Sequence, residues 1–488
     1  MNRGRKFLPS GLGKLSYSGT YPLSLSTSGK GETMSSAASM KTTAVSDPLS
    51  LLGDLVAQAR KQGADAADAM LVDSASLSIA CRLGQIETLD RSESGHLGLR
   101  VLIGKKQAIV SSSDRKPQAL SELVERVIAM ARAAPEDEFC GIADASQIAR
   151  QWPAPEIADN AEPPVEKLIA QVREAEDAAR AVKGVTNSEG AETGYGKADI
   201  SLVASNGFAG RYRRTNFSLN TSVIAGDGTG MERDYDYASR TFAADMPAPA
   251  AIGRSAGERA IKRLGSRKMP TAQIPVVFEP RVANSMVGHL SGAISGASVA
   301  RGTSFLKDKL GQPVFSDALT VIDDPFRTRG LRSYPFDDEG LLPERRKIID
   351  KGVLTTWFLD LRSARQLKMK STGHGGRGPG GLPSPSPSNL YLEAGTLTPA
   401  ELIRDIKQGF YITDLMGSGV NGVTGDYSRA AAGFWIENGT IAFPVSEMTI
   451  AGNLKDMFHN ITAANDLEFL HGIDAPTLRI EGMTVAGL

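Results

Sequence analysis

Between residues 184 and 243 apolar and polar side chains alternate, and the run is broken at Gly210, Gly226, Gly228 and Gly230. A period of two buries one face of a strand and wets the other, the pattern of an antiparallel sheet with one side on a core. A slip of one residue would turn the whole apolar set to solvent, so the pattern also fixes the register. Glycine is abundant at 51 residues and aromatic residues make up only 6%, which favours strands and turns over a helical bundle.

The same reading extends along the chain. Ser46, Asp47 and Pro48 form a helix opening, a capping side chain followed by proline in the first turn. Leu51, Leu52, Leu55, Val56 and Ala59 then recur at helical spacing, and Gly63 closes the segment. Strand-like runs follow at 67–73, 76–82, 84–90, 96–103 and 106–112, with a hairpin turn at Gly104 and Lys105. Leu120, Leu123, Val124, Val127, Ile128 and Ala131 mark a second amphipathic helix. A proline-rich connection, 134–165, leads to helices at about 165–182 and 247–264, which flank the alternating region. After the short buried strand Ile274–Phe278, a Gly-, Ala- and Ser-rich helix is expected at 280–297. Strands and turns continue to the end, interrupted by a Gly- and Pro-rich stretch from Gly373 to Ser388 that reads as a loop. The expected fold class is α+β: an N-terminal antiparallel sheet with packed helices (47–265), followed by a strand-rich C-terminal domain (266–488).

Charge and cysteine content narrow the function. Lys plus Arg is 55 and Asp plus Glu is 55, so the chain has no overall attraction for nucleic acid or anionic lipid. Cys81 and Cys140 cannot build a disulfide framework, and a reducing, cytoplasmic compartment is expected. No apolar run approaches the roughly 18 residues that span a bilayer. Residues 1–46 are rich in Ser, Gly and Thr, with scattered leucines, and are expected to be a disordered extension.

Several short motifs carry little. Gly373–Gly378 fits G-x-G-x-x-G, but Pro379 and a Pro-Ser repeat follow, so no helix can start there to bind a pyrophosphate. Gly253-Arg254-Ser255-Ala256-Gly257 fits G-x-S-x-G, but it continues into a helix without a preceding strand, and Ser255 reads as a surface or packing residue. His96, His289, His374, His459 and His471 never pair at the spacing that puts two imidazoles on one helix face. Asp337, Asp338 and Glu339 could supply a base or a hard-metal ligand, but three adjacent acids read more simply as a solvated turn.

Longer segments are more specific. They are Asp338-Glu339-Gly340, Ile348–Leu359, Ser371-Thr372-Gly373, Thr424–Ala430, Gly433–Gly439 and Pro444–Leu454. With these the chain resembles the PmbA (TldE) branch of the TldD/PmbA metallopeptidase family over roughly residues 47–488. In the TldD branch a helix carries H-E-x-x-x-H: two histidines hold zinc, the glutamate activates water, and a later cysteine completes the site. The matching helix here has Asn284 for the first histidine and Ser285 for the glutamate, with only His289 retained, and no cysteine follows Cys140. One imidazole cannot fix Zn²⁺ against water, and without a carboxylate at 285 there is no water-activating base.

The resemblance therefore implies a chain with no catalytic residues and no cofactor of its own, zinc belonging to a TldD-type H-E-x-x-x-H partner subunit. The complex would cleave unfolded or modified peptides, with no role for nucleic acid or membrane. His374, Arg377 and Asn389 in and beside the Gly-rich loop, and Asp426, Tyr427 and Ser428, are the expected lining of a peptide cleft. The rival readings are a stand-alone metallopeptidase with a non-standard metal site around His289, and a binding protein that modulates a topoisomerase.

Overall fold

The structure is a computed structural model and describes residues 47–487; the extension expected at 1–46 lies outside the described residues. The first helix, α1 (Pro48–Lys61), starts where the Asp47 carboxylate accepts from the Ser50 backbone N–H. Then come β1 (Ala66–Arg82), β2 (Gln85–Ile103), β3 (Lys106–Ser112), α2 (Pro117–Ala133), α3 (Val165–Arg180), β4 (Val185–Ala204), β5 (Ala209–Ala225), β6 (Glu232–Arg240) and α4 (Pro249–Lys262). The strands form one antiparallel sheet in the order β3-β2-β1-β4-β5-β6. Four expected strand runs merge into two long strands, because β1 pairs continuously with β4 through its polar middle, as Ser74 and Ala75 face Ala198 and Lys197.

Alternation along β1 decides which face each layer covers. Ala67, Ala69 and Leu71 pack against α1 and α2, and Leu77 and Ile79 pack with Leu168 and Val172 of α3 and Ile252 of α4. Met70 and Val72 face the other way, toward Trp152, Phe208 and Phe336. Two glycines let α4 close on α3: a Cβ at Gly253 would lie 1.9 Å from the Ala175 carbonyl oxygen, and one at Gly257 would lie 2.8 Å from that of Ala179. The G-x-S-x-G segment is thus a helix-packing motif.

The C-terminal part contains β7 (Ala272–Phe278), α5 (Pro280–Ala293), α6 (Gly296–Ala300), β8 (Val321–Asp324), β9 (Arg346–Asp350), β10 (Val353–Leu354), α7 (Leu361–Gln366), β11 (Gly375–Gly376), β12 (Ser384–Pro385), β13 (Asn389–Leu392), β14 (Gln408–Met416), β15 (Asp426–Glu437), β16 (Thr440–Asn453), β17 (Ile461–Ala463), β18 (Ile473–Asp474) and β19 (Leu478–Ala486). The expected helix 280–297 is two helices, broken at Ile294 and Ser295. Strands β16-β15-β14-β7-β19 are neighbours in that order, and β19 returns to β16 with Ile450 opposite Val485, closing a five-stranded barrel. Val276, Phe278, Phe410, Ile412, Ile450 and Ile480 belong to its core. Along β15 and β16 Trp435, Ile436, Val445 and Ile450 are buried, and Ile441 is exposed. Helix α5 touches β7 and β14 of the barrel and β13 and β18 of the smaller sheet β10-β9-β8-β13-β18.

The Gly- and Pro-rich stretch is more ordered than a loop. Its ends pair as β11 and β12, Gly375 opposite Pro385 and Gly376 opposite Ser384, and its tip lies on the N-terminal sheet. A Cβ at Gly98 of β2 would lie 1.6 Å from the Pro379 carbonyl oxygen, so only glycine permits this contact.

Candidate functional site

Helix α5 brings the degenerate ligand set together. Pro280 opens it, and buried Val282, Ala283, Met286, Val287 and Leu290 fix its rotation. Asn284 is buried too, whereas Ser285 and His289 are half-buried. The Ser285 hydroxyl donates to the Val282 carbonyl at 2.6 Å, a bond within the helix that spends its proton. The His289 ring meets the edge of Tyr427 on β15, centroids 5.7 Å apart at 76°. Two residues further along the same strand, Arg429 donates to the Leu415 carbonyl. Burial, and then the Arg429 charge, push His289 down to about 4, so its imidazole is neutral at pH 7. Its Nε2 is buried without a hydrogen-bond partner among the described residues.

The flanking residues of β15 are exposed. The Asp426 carboxylate accepts from the Thr424 hydroxyl at 2.6 Å and from the Asn453 amide at 3.0 Å, bonds that hold it below the usual carboxylate range. Ser428 is exposed beside it and Tyr427 is buried between them. Of the three expected cleft residues on β15 only Tyr427 touches the α5 site; Asp426 and Ser428 lie on the opposite, exposed face of the strand.

The other three lie elsewhere and point inward, a correction to the expected cleft. His374 is 1% exposed, its Nδ1 within 2.8 Å of the Thr372 hydroxyl and its Nε2 within 3.1 Å of Asp323. Asn389, 2% exposed, donates to the Asp324 carbonyl and to Ser333, and accepts from the Arg332 backbone N–H. Arg377 donates to Asp68 at 2.6 Å. All three are buried and bond within the protein, so none of them lines an open cleft.

Two of the three adjacent acids are buried and Asp338 is half-buried, where a solvated turn is expected. Asp337 is 3% exposed and accepts from the backbone N–H groups of Glu339, Leu341 and Gly375. Glu339 is 7% exposed and accepts from Leu361 N–H at 2.7 Å. Burial pushes Asp337 up to about 7; burial and then the Asp337 charge push Glu339 up to about 8. Asp338 accepts from the Arg377 backbone N–H at 2.8 Å. Beneath this layer Arg100 donates to Asp68 at 2.8 Å. Burial alone would raise Asp68, but Arg100 and Arg377 outweigh it and hold it low. Nothing local in the sequence marks the roles of Asp68, Arg100 and Arg429, because each sits in an ordinary strand and only the tertiary fold gives it a partner.

A zinc site needs three or four donors around one point. At α5 there is one imidazole, an amide side chain and a hydroxyl whose proton is already donated, with a guanidinium that repels any cation. Among the described residues no three His, Cys, Asp or Glu side chains converge to hold a metal. Both cysteines lie outside this site, and burial pushes the Cys81 thiol up to about 11. These residues do not fit the metal.

Family models for the PmbA/TldA metallopeptidase match in three pieces: domain 1 over residues 67–131, the central domain over 158–264 and the C-terminal domain over 271–487. The metalloprotease PmbA of Escherichia coli O157:H7 is 38% identical over 425 residues, covering 87% of this chain and 92% of the relative. The chain belongs to the PmbA/TldD metallopeptidase family. Within it, the comparisons support the PmbA/TldE branch. The PmbA/TldD fold recurs in a crystal structure from Bacteroides thetaiotaomicron, described as a proposed modulator of DNA gyrase, with TM-score 0.83 and 28% identity, covering 90% of this chain and 98% of that one. TldE from Thermococcus kodakarensis shares the fold with TM-score 0.81 at 18% identity, covering 90% of this chain and all (100%) of that one. Among the described residues of this PmbA/TldD member, no helix is long and apolar enough to cross a membrane.

Proposed function

We propose that this family member is a non-catalytic subunit of a cytoplasmic zinc peptidase complex that cleaves unfolded or modified peptides. The metal and the water-activating carboxylate would come from a TldD-type partner with H-E-x-x-x-H on the equivalent helix. The observation that carries this reading is the composition of α5 and its surroundings: His289 alone among possible ligands, with Arg429 beside it. A positive charge there opposes both a divalent cation and the protonated imidazole, so the site favours neither metal binding nor acid catalysis. What this chain would contribute is surface. The exposed Asp426 and Ser428 on β15 would offer polar groups to an extended peptide, which is read chiefly through its backbone. The test is to co-express the chain with a TldD-type subunit and assay each chain and the mixture on a casein-type substrate. Activity is expected only where the partner is present, and it should depend on this chain. Full activity of the isolated chain, with stoichiometric zinc, would instead support a metal site of its own.

A further inference from the structure

A cavity of about 440 Å³ lies between α4 and the outer face of the barrel, away from the α5 site. Its α4 wall is Ser255, Glu258, Arg259 and Lys262, residues spaced so that one helical face points into it. That face is set by the packing on α3: with Gly253 and Gly257 pressed on Ala175, Ala179 and Val182, Ser255 turns toward the barrel. The opposite wall comes from β14 and the start of α5, through Tyr411, Thr413 and Glu279, and from Phe434 and Ile441 at the apolar end.

Two features of this cavity point to a ligand. Thr413 is 3% exposed and lines it, and its hydroxyl has no hydrogen-bond partner among the described residues. A buried unsatisfied hydroxyl is costly and rare in native proteins, and a polar group in the cavity would satisfy it. The second feature is how charge is distributed. In the floor, Glu279 is already paired with Arg259, and Asp234 with Arg263 and Arg281. At the mouth, Glu258 and Lys262 are one helical turn apart and exposed, and neither forms an ion pair among the described residues. The cavity thus offers one free carboxylate, one free ammonium, the unpaired Thr413 hydroxyl and an apolar end.

We infer that this cavity binds a zwitterion with an apolar side chain: a free α-amino acid or a dipeptide. The ligand's ammonium would pair with Glu258 and its carboxylate with Lys262. Its side chain would lie on Phe434 and Ile441, and a polar atom of its backbone would reach Thr413. A ligand carrying a single charge would leave one of the two mouth charges unanswered. The inference is independent of the peptidase reading, since it uses no residue of the α5 site.

The experiment is isothermal titration of the full-length chain with L-leucine and with Gly-Leu. Leucinamide and N-acetyl-leucine, which lack the carboxylate charge and the ammonium charge respectively, serve as controls. Saturable binding of leucine or Gly-Leu is expected, the tighter of the two naming the ligand's length. Each capped analogue should bind about tenfold more weakly or worse, as loss of one charged hydrogen bond implies. Lys262→Ala and Glu258→Gln should weaken binding to a similar degree while keeping the wild-type melting temperature, since both side chains are exposed. No saturable heat with either ligand up to its solubility would overturn the inference. Unchanged binding in both variants would overturn it as well.

Discussion

The guanidinium of Arg377 donates to the Asp68 carboxylate at 2.6 Å, joining the Gly-rich hairpin of the C-terminal part to the first strand of the N-terminal sheet. Asp68 is shared with Arg100, and all three side chains are nearly excluded from solvent. Asp68→Ala strands two buried cations and should cost about 3–5 kcal/mol. Arg377→Ala leaves Asp68 paired with Arg100 and should cost about 2–3 kcal/mol. Denaturant unfolding of the two variants checks the order; an Arg377 variant less stable than the Asp68 variant would contradict it.

The buried acids give a pH dependence opposite to that of most carboxylates. Asp337 and Glu339 keep their protons up to about 7 and about 8, while in the unfolded chain they lose them near 4. The native state therefore binds more protons between these limits, and this contribution to stability falls as pH rises until it is gone above about 8. The wild-type melting temperature should drop more between pH 6 and pH 8 than that of the Asp337→Asn/Glu339→Gln double variant. Identical pH profiles would show that the two groups titrate normally.

His289 has the converse behaviour. Its pKa is lowered to about 4, so the native state resists protonation and stability is lost as pH falls from about 6.5 toward 4. NMR of the imidazole should show the neutral ring at pH 5.5. His289→Ala should cost about 1–3 kcal/mol of stability while leaving cleavage by an assembled complex intact. A folded, assembled variant without activity would give His289 a catalytic task.

Much of this architecture can be read locally. Asp47 and Pro48 do open a helix, and the alternation through 185–225 is the sheet register of β4 and β5. Barrel closure is not local: β19 pairs with β16, Ile450 opposite Val485, and with β7, Leu478 opposite Phe278, and neither contact leaves a trace in a window of about ten residues. The burial of Asp337 and Glu339 is hidden for the same reason. Three adjacent acids look solvated until Gly375 N–H, Leu361 N–H and Arg100 arrive from elsewhere in the chain. The Gly-rich stretch misleads in the other direction, since its glycines serve close approach to neighbouring chain. Asn284, Ser285 and His289 could be aligned with a zinc helix from sequence, but the Arg429 charge beside them could not.

Metal content follows from that charge. Elemental analysis of the chain purified alone should find well below one zinc per molecule. A full equivalent that survives dialysis against a chelator would require donors other than the α5 set.

The central claim is that the chain works only through a partner. Purified alone it should cleave no casein-type substrate, and mixed with a TldD-type H-E-x-x-x-H chain it should co-elute with it as activity appears. A catalytic partner that is equally active without this chain, or full activity of this chain in isolation, would contradict the account.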